Sequence, residues 1–162
     1  MGEIKESKVA IVTGAASGIG AALTRHLIDT NHLVLGVDIN SSKLNALSDD
    51  TGCATIVGDI AREEFNQSVA SHANEVFGRL DYVFLNAGIL GRDIELQGTE
   101  FKIDDLEQAK YHKTRSINFD AVVFGTIATS PYLASGGGGS IVVTASIAGL
   151  TAWNRDPYYT AT

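Results

Sequence analysis

A single cysteine, Cys53, stands in 162 residues. It excludes an internal disulfide and makes an intracellular, cytoplasmic setting the expectation. Basic charge is short as well: 12 Lys and Arg against 19 Asp and Glu give a net charge of −7. Those basic residues are scattered, so there is no electrostatic footprint for DNA or RNA, and no nucleic-acid partner is expected. No apolar run approaches the ~20 residues needed to cross a bilayer. Met1–Lys8 is polar with alternating charge, unlike a signal peptide. No membrane partner is therefore expected. His26, His32, His72 and His112 are isolated from one another and from Cys53, which excludes a paired metal motif. No Gly-x-Ser-x-Gly nucleophile elbow occurs. No glycine turn ends in Gly-Lys-Ser/Thr, so a P-loop NTPase is rejected.

What is present is an ordinary globular composition, 44% hydrophobic and 19% charged. The length suits one domain, residues 1–162, able to bury a core without disulfides or metal. Short apolar runs alternate with stretches of helical spacing. Val9–Val12 reads as a strand buried on both faces, ending at Thr13-Gly14. Ile19–Thr30 carries Ile19, Leu23, Leu27 and Ile28 at helical spacing, with Asn31 at its end. Leu33–Val37 is a second strand, and Ser41-Ser42 predicts the cap of a short helix through Leu47. Ala54–Val57, a helix over Glu63–Phe77 and Tyr82–Leu85 follow. Gly88–Gly98 reads as loop, Asp104–Ser135 as mostly helical with a break or bend before Pro131, and Ile141–Val143 as a fifth strand. Gly136–Gly139 is the turn that joins them. The tail from Ala145 begins as loop, and Pro157 opens a further helix. Strands alternating with helices predict an α/β doubly wound parallel sheet with right-handed crossovers and helices on both faces.

Thr13-Gly14-Ala15-Ala16-Ser17-Gly18-Ile19-Gly20 follows the first strand and opens the first helix. Glycines there let the backbone approach a pyrophosphate, and the helix N-terminus offers unpaired N–H donors. By itself the pattern is also that of a tight strand–helix turn. The acid that completes a dinucleotide site is Asp38, ending the second strand, where a carboxylate accepts from a ribose diol and repels a 2′-phosphate. Taken alone, Asp38 also suits a polar strand end or cap. Neighbouring positions hold Ser17 and Ile39, with no cation for that phosphate, so NAD is favoured over NADP.

The spacing Thr-Gly-x-x-x-Gly-x-Gly resembles the short-chain dehydrogenase/reductase family. Further matches run in order from Lys8 to Thr162. Asp59 and Ile60 follow the third strand, where the family places an Asp against adenine. Asn86-Ala87-Gly88 is similar to the family's Asn-Asn-Ala-Gly, with Leu85 in place of the first Asn. Asn118 matches the catalytic asparagine, Ser146 the catalytic serine, and Tyr159, thirteen positions on, the catalytic tyrosine. Alone, Ser146 reads equally as a turn cap and Asn118 as a polar helix residue.

The resemblance implies a Rossmann-like fold, NAD as cofactor, and hydride transfer between NAD(H) and a small-molecule secondary alcohol or ketone. Tyr159 would then be the general acid/base, Ser146 would hydrogen-bond the substrate oxygen, and Asn118 would hold a water of the proton relay. Tyr158 breaks the serine spacing and reads as a structural or substrate-facing neighbour. Trp153 and Phe101 suit either a pocket wall or packing. The family places a lysine one helical turn after the tyrosine, which is the position following Thr162. The expectation is thus a chain shortened at its C-terminus, lacking the last strands and helices, with the fifth strand left as an apolar edge and the fold marginally stable. A homo-oligomer is also implied. The alternative is a non-catalytic NAD-binding or interaction module.

Overall fold

A computed structural model describes residues 7–93, 102–151 and 153–162. Five parallel strands, β1 (Val9–Thr13), β2 (Leu33–Asp38), β3 (Ala54–Val57), β4 (Tyr82–Leu85) and β5 (Ser140–Val143), form one sheet in the order β3-β2-β1-β4-β5. Val9 is in register with Leu33, and Ala10 with Tyr82. Parallel strands need crossovers, and helices supply them: α1 (Gly18–Asp29), α2 (Ser41–Thr51), α3 (Glu63–Phe77), and α4 (Gln108–Arg115) with α5 (Ala121–Ser135); a short α6 (Pro157–Thr160) follows β5.

Alternation along β1 sorts the core into two layers. Val9 and Ile11 join Leu35, Val37, Val69, Ala73 and Leu133 on the α3/α5 face. Ala10 and Val12 join Val34, Leu27, Leu44 and Leu47 on the α1/α2 face. This is the doubly wound sheet expected from the alternating pattern. No helix among the described residues is long and apolar enough to cross a membrane.

One local expectation is corrected. The cap of α2 is Asn40, whose Oδ1 accepts from the Lys43 N–H at 3.1 Å, and the helix runs on to Thr51. The stretch from Asp104 is mostly helical and is interrupted before Pro131, as expected. It holds a 3-10 turn at Ile103–Asp105, then α4, then a π-helical turn over Ser116–Asp120 before α5. Pro131 lies inside α5, on the exposed side. β5 is an edge strand with Val142 and Val143 exposed, the apolar edge expected of the fifth strand. The turn before it needs glycine: Gly137 and Gly138 have φ of +93° and +101°. The loop expected over Gly88–Gly98 is irregular as far as Asp93; its remainder and Phe101 lie outside the described residues.

Candidate active site

The C-terminal ends of all five strands point to one side, and β1 and β4 are the pair from which the chain departs in opposite directions. Open α/β sheets bind ligands in the crevice at such a point. A cleft of about 540 Å³ lies there.

Its floor is the turn after β1. A Cβ on Gly20 would stand 2.1 Å from the Gly14 carbonyl oxygen, and one on Gly14 would stand 2.9 Å from the Ala87 Cα. Side chains at either position would push α1 off the strand ends. α1 carries no acidic residue in its first turn, and Ser17, its N-cap, makes no side-chain capping bond. The positive end of a twelve-residue helix is therefore left to face the cleft. Gly14, Ser17, Gly18 and Ile19 line it. Thr13 and Gly20 lie beneath. The Thr13 hydroxyl accepts from the Asn86 N–H at 3.0 Å and the Ala87 N–H at 3.2 Å, locking β1 to β4.

Asp38 ends β2 and lines the cleft. The Ala16 N–H donates to its Oδ2 and the Asn40 N–H to its Oδ1, both at 2.9 Å. Each oxygen keeps a lone pair for a further donor. Asp59 and Ile60 follow β3 in the same wall, and the Ala61 N–H donates to Asp59 Oδ1 at 2.9 Å. Ile19 and Ile39, 67% and 69% exposed, flank the opening as apolar surfaces. Among the described residues that line the cleft there is no lysine or arginine.

Asn86, Ala87 and Gly88 complete the β4 side. Asn86 Nδ2 donates to the Thr13 carbonyl at 3.1 Å, and its Oδ1 accepts from the Thr144 hydroxyl at 3.0 Å, so three strand ends are tied together. Tyr159 lines the far wall, with its ring edge-on to Trp153 at 5.9 Å. Asn118 and Ser146 are not among the lining residues. Asn118 sits in the π-helical turn. Its Oδ1 accepts from the Ile89 N–H at 2.9 Å, and its Nδ2 donates to the Ile89 carbonyl at 2.9 Å and to the Thr162 hydroxyl at 3.0 Å. Both amide hydrogens are engaged, which leaves one Oδ1 lone pair or a main-chain carbonyl as the place for a water. Ser146 caps the 3-10 turn Ile147–Gly149, its hydroxyl accepting from the Ala148 N–H at 3.2 Å. Tyr158 is structural: it is buried, accepts from the Glu107 N–H and donates to the Asp105 carbonyl.

Two features escaped the sequence reading. Ile89, Leu90, Ile117, Thr144 and Ala145 also line the cleft, and their ordinary residue types give no signal. Asp156 is wholly buried and caps α6 through the Tyr159 N–H at 3.1 Å. The Asp-Pro pair at the start of a helix was its signal. No group of three metal-ligating side chains occurs among the described residues.

A family model described as short chain dehydrogenase matches residues 8–162. The cyclohexanol dehydrogenase of Acinetobacter sp. is 34% identical over 149 residues, 89% of this chain and 57% of that one. The 3beta-hydroxysteroid dehydrogenase 2 of Eggerthella lenta is 26% identical over 160 residues, 95% of this chain and 59% of that one. The crystal structure of levodione reductase superposes with a TM-score of 0.84 at 28% identity, covering 95% of this chain and 60% of the other. The chain spans from about half to two-thirds of the length of the curated relatives it matches, 50% to 67%.

Proposed function

The chain belongs to the short chain dehydrogenase family, and from that membership we propose that it binds NAD in the cleft and serves oxidation of a secondary alcohol or reduction of a ketone. One observation carries the reading: a single cleft is lined by the glycine turn, by Asp38 and by Tyr159. The residues fit a dinucleotide. The open N-terminus of α1 and its glycines suit a pyrophosphate. The spare lone pairs of Asp38 suit a ribose diol, and the lack of a lining cation favours NAD over NADP. When bound, the nicotinamide supplies or takes the hydride. Tyr159 then handles the proton at the substrate oxygen, Ser146 hydrogen-bonds that oxygen, and Asn118 holds the Ile89 segment of the wall and a water beside it. The relatives named cyclohexanol dehydrogenase and levodione reductase support an alcohol or ketone as the substrate class.

Calorimetric titration with NAD and NADP, followed by turnover on a panel of secondary alcohols, tests this. Asp38→Ala should weaken NAD roughly tenfold or more, because it removes the diol acceptors and frees the Ala16 and Asn40 amides. Unchanged affinity would falsify the ribose assignment. The engagement of the Ser146 hydroxyl as the cap of a 3-10 turn favours a second reading, an NAD-binding module without turnover. Binding without reaction on the panel is its signature.

A further inference from the structure

Of the two aspartates buried among the described residues, Asp81 lies at the N-terminal end of β4, away from the cleft. Asp156 lies three residues before Tyr159 and is completely buried. We propose that Asp156 is a positioning residue: it clamps the loop after β4 to the start of α6 and so sets where Tyr159 stands against the cleft wall. The proposal rests on the reading of Tyr159 as the proton-handling group.

Three backbone donors from two distant segments converge on one carboxylate. Its Oδ2 accepts from the Gly91 N–H at 2.9 Å and the Arg92 N–H at 3.0 Å. Its Oδ1 accepts from the Tyr159 N–H at 3.1 Å. The junction is closed a second time by Arg92, whose Nη1 donates to the Arg155 carbonyl at 2.6 Å. The two segments also approach closely. A Cβ on Gly91 would stand 2.3 Å from the Tyr158 Cβ and 2.7 Å from Asp156 Oδ1. The loop reaching this junction carries Ile89 and Leu90, which line the cleft together with Tyr159.

A helix cap alone needs one acceptor, which Ser, Thr or Asn supplies as well as Asp. Serving the cap and the Gly91–Arg92 pair at the same time needs two oxygens, both free of hydrogen, and only a carboxylate offers them. The choice of aspartate is therefore explained by the link between the segments and not by capping.

Asp156→Ser separates the two roles, since its hydroxyl still caps Tyr159 but leaves the Gly91 and Arg92 amides without their oxygen. The expected result is a kcat for ketone reduction lowered roughly tenfold or more, with the dissociation constant for NADH held within about twofold. Trp153, the sole tryptophan, packs on Tyr159 and reports the same displacement as a shifted emission maximum. Wild-type kcat and emission in Asp156→Ser overturn the proposal, as does loss of NADH affinity in step with kcat. Should the unmodified chain not turn over, the catalytic reading fails, and the Trp153 emission alone decides the positioning claim. Should Asp156→Ser not fold, amide hydrogen exchange on the unmodified chain decides it. The Gly91, Arg92 and Tyr159 amides should be protected to a similar degree, and free exchange at Gly91 and Arg92 sinks the clamp.

Discussion

Asp81 concentrates more charge contacts than any group at the cleft. Lys8 Nζ donates to it at 2.9 Å, Arg79 at 2.8 and 2.7 Å, and the Val9 N–H at 2.9 Å. Burial raises its pKa, but the hydrogen bonds from Arg79, Lys8 and Val9 outweigh that and hold the carboxyl at about 2 instead of the usual 3.8. The folded state thus binds fewer protons than the unfolded one between those values. The stabilisation, roughly 2 kcal/mol, is complete above about pH 4 and is lost as the pH falls through about 2. Urea midpoints of the chain and of Asp81→Asn should differ clearly at pH 7 and draw together toward pH 2. A gap that stays constant with pH would show that packing, not charge, is what the substitution removes. Asp38 and Asp156 also accept from backbone amides. In all three, a carboxylate near a strand or helix end holds together segments distant in sequence.

Among the elements, α2 shows how a cap is chosen. Asn40, Ser41 and Ser42 are all residue types that cap helices, so the local sequence leaves the start degenerate. The strand end before it decides: Asp38, held by the Ala16 N–H, accepts from the Asn40 N–H and keeps Asn40 in the extended conformation a cap needs. Asn40→Ala should cost about 1 kcal/mol in chemical denaturation, and Ser41→Ala less than half of that. The strands were legible because their apolar runs are short and bounded by turn residues, as in Val9–Val12 before Thr13-Gly14. The β1–β2 side of the cleft was legible for a related reason. Its glycine turn and Asp38 sit at the ends of consecutive strands, within one stretch of sequence. The π-helical turn was not legible, because Asn118 in it clasps Ile89 of another segment. Pro131 is tolerated inside α5 because an exposed position lets water serve the carbonyl that loses its partner. The cap that Asp156 makes has a local signal, but its Gly91 and Arg92 partners lie more than sixty residues away, beyond the reach of any local pattern.

On the scale of the whole molecule, the sheet ends in an apolar edge. Val142 and Val143 on β5 are 47% and 46% exposed, and Ile147 and Leu150 beyond it are 75% and 88% exposed. An edge strand of this kind templates association with other strands. Static light scattering of the 162-residue chain should rise with concentration more steeply than for an ideal monomer, and Val142→Lys should reduce that rise. Scattering that stays ideal in both would remove the edge as a source of association. The strand order has a further consequence, in time instead of space. β1 pairs with β2 across a short span, Val9 to Leu33, but with β4 only across a long one, Ala10 to Tyr82. Closing the longer loop costs more chain entropy and is slower. As the chain leaves the ribosome, the β1–β2–β3 side, with the glycine turn and Asp38, can take shape before β4 exists to pair with. A ligand of the cleft present at that moment would meet half of it on a nascent chain and would favour the fold that later completes the other half.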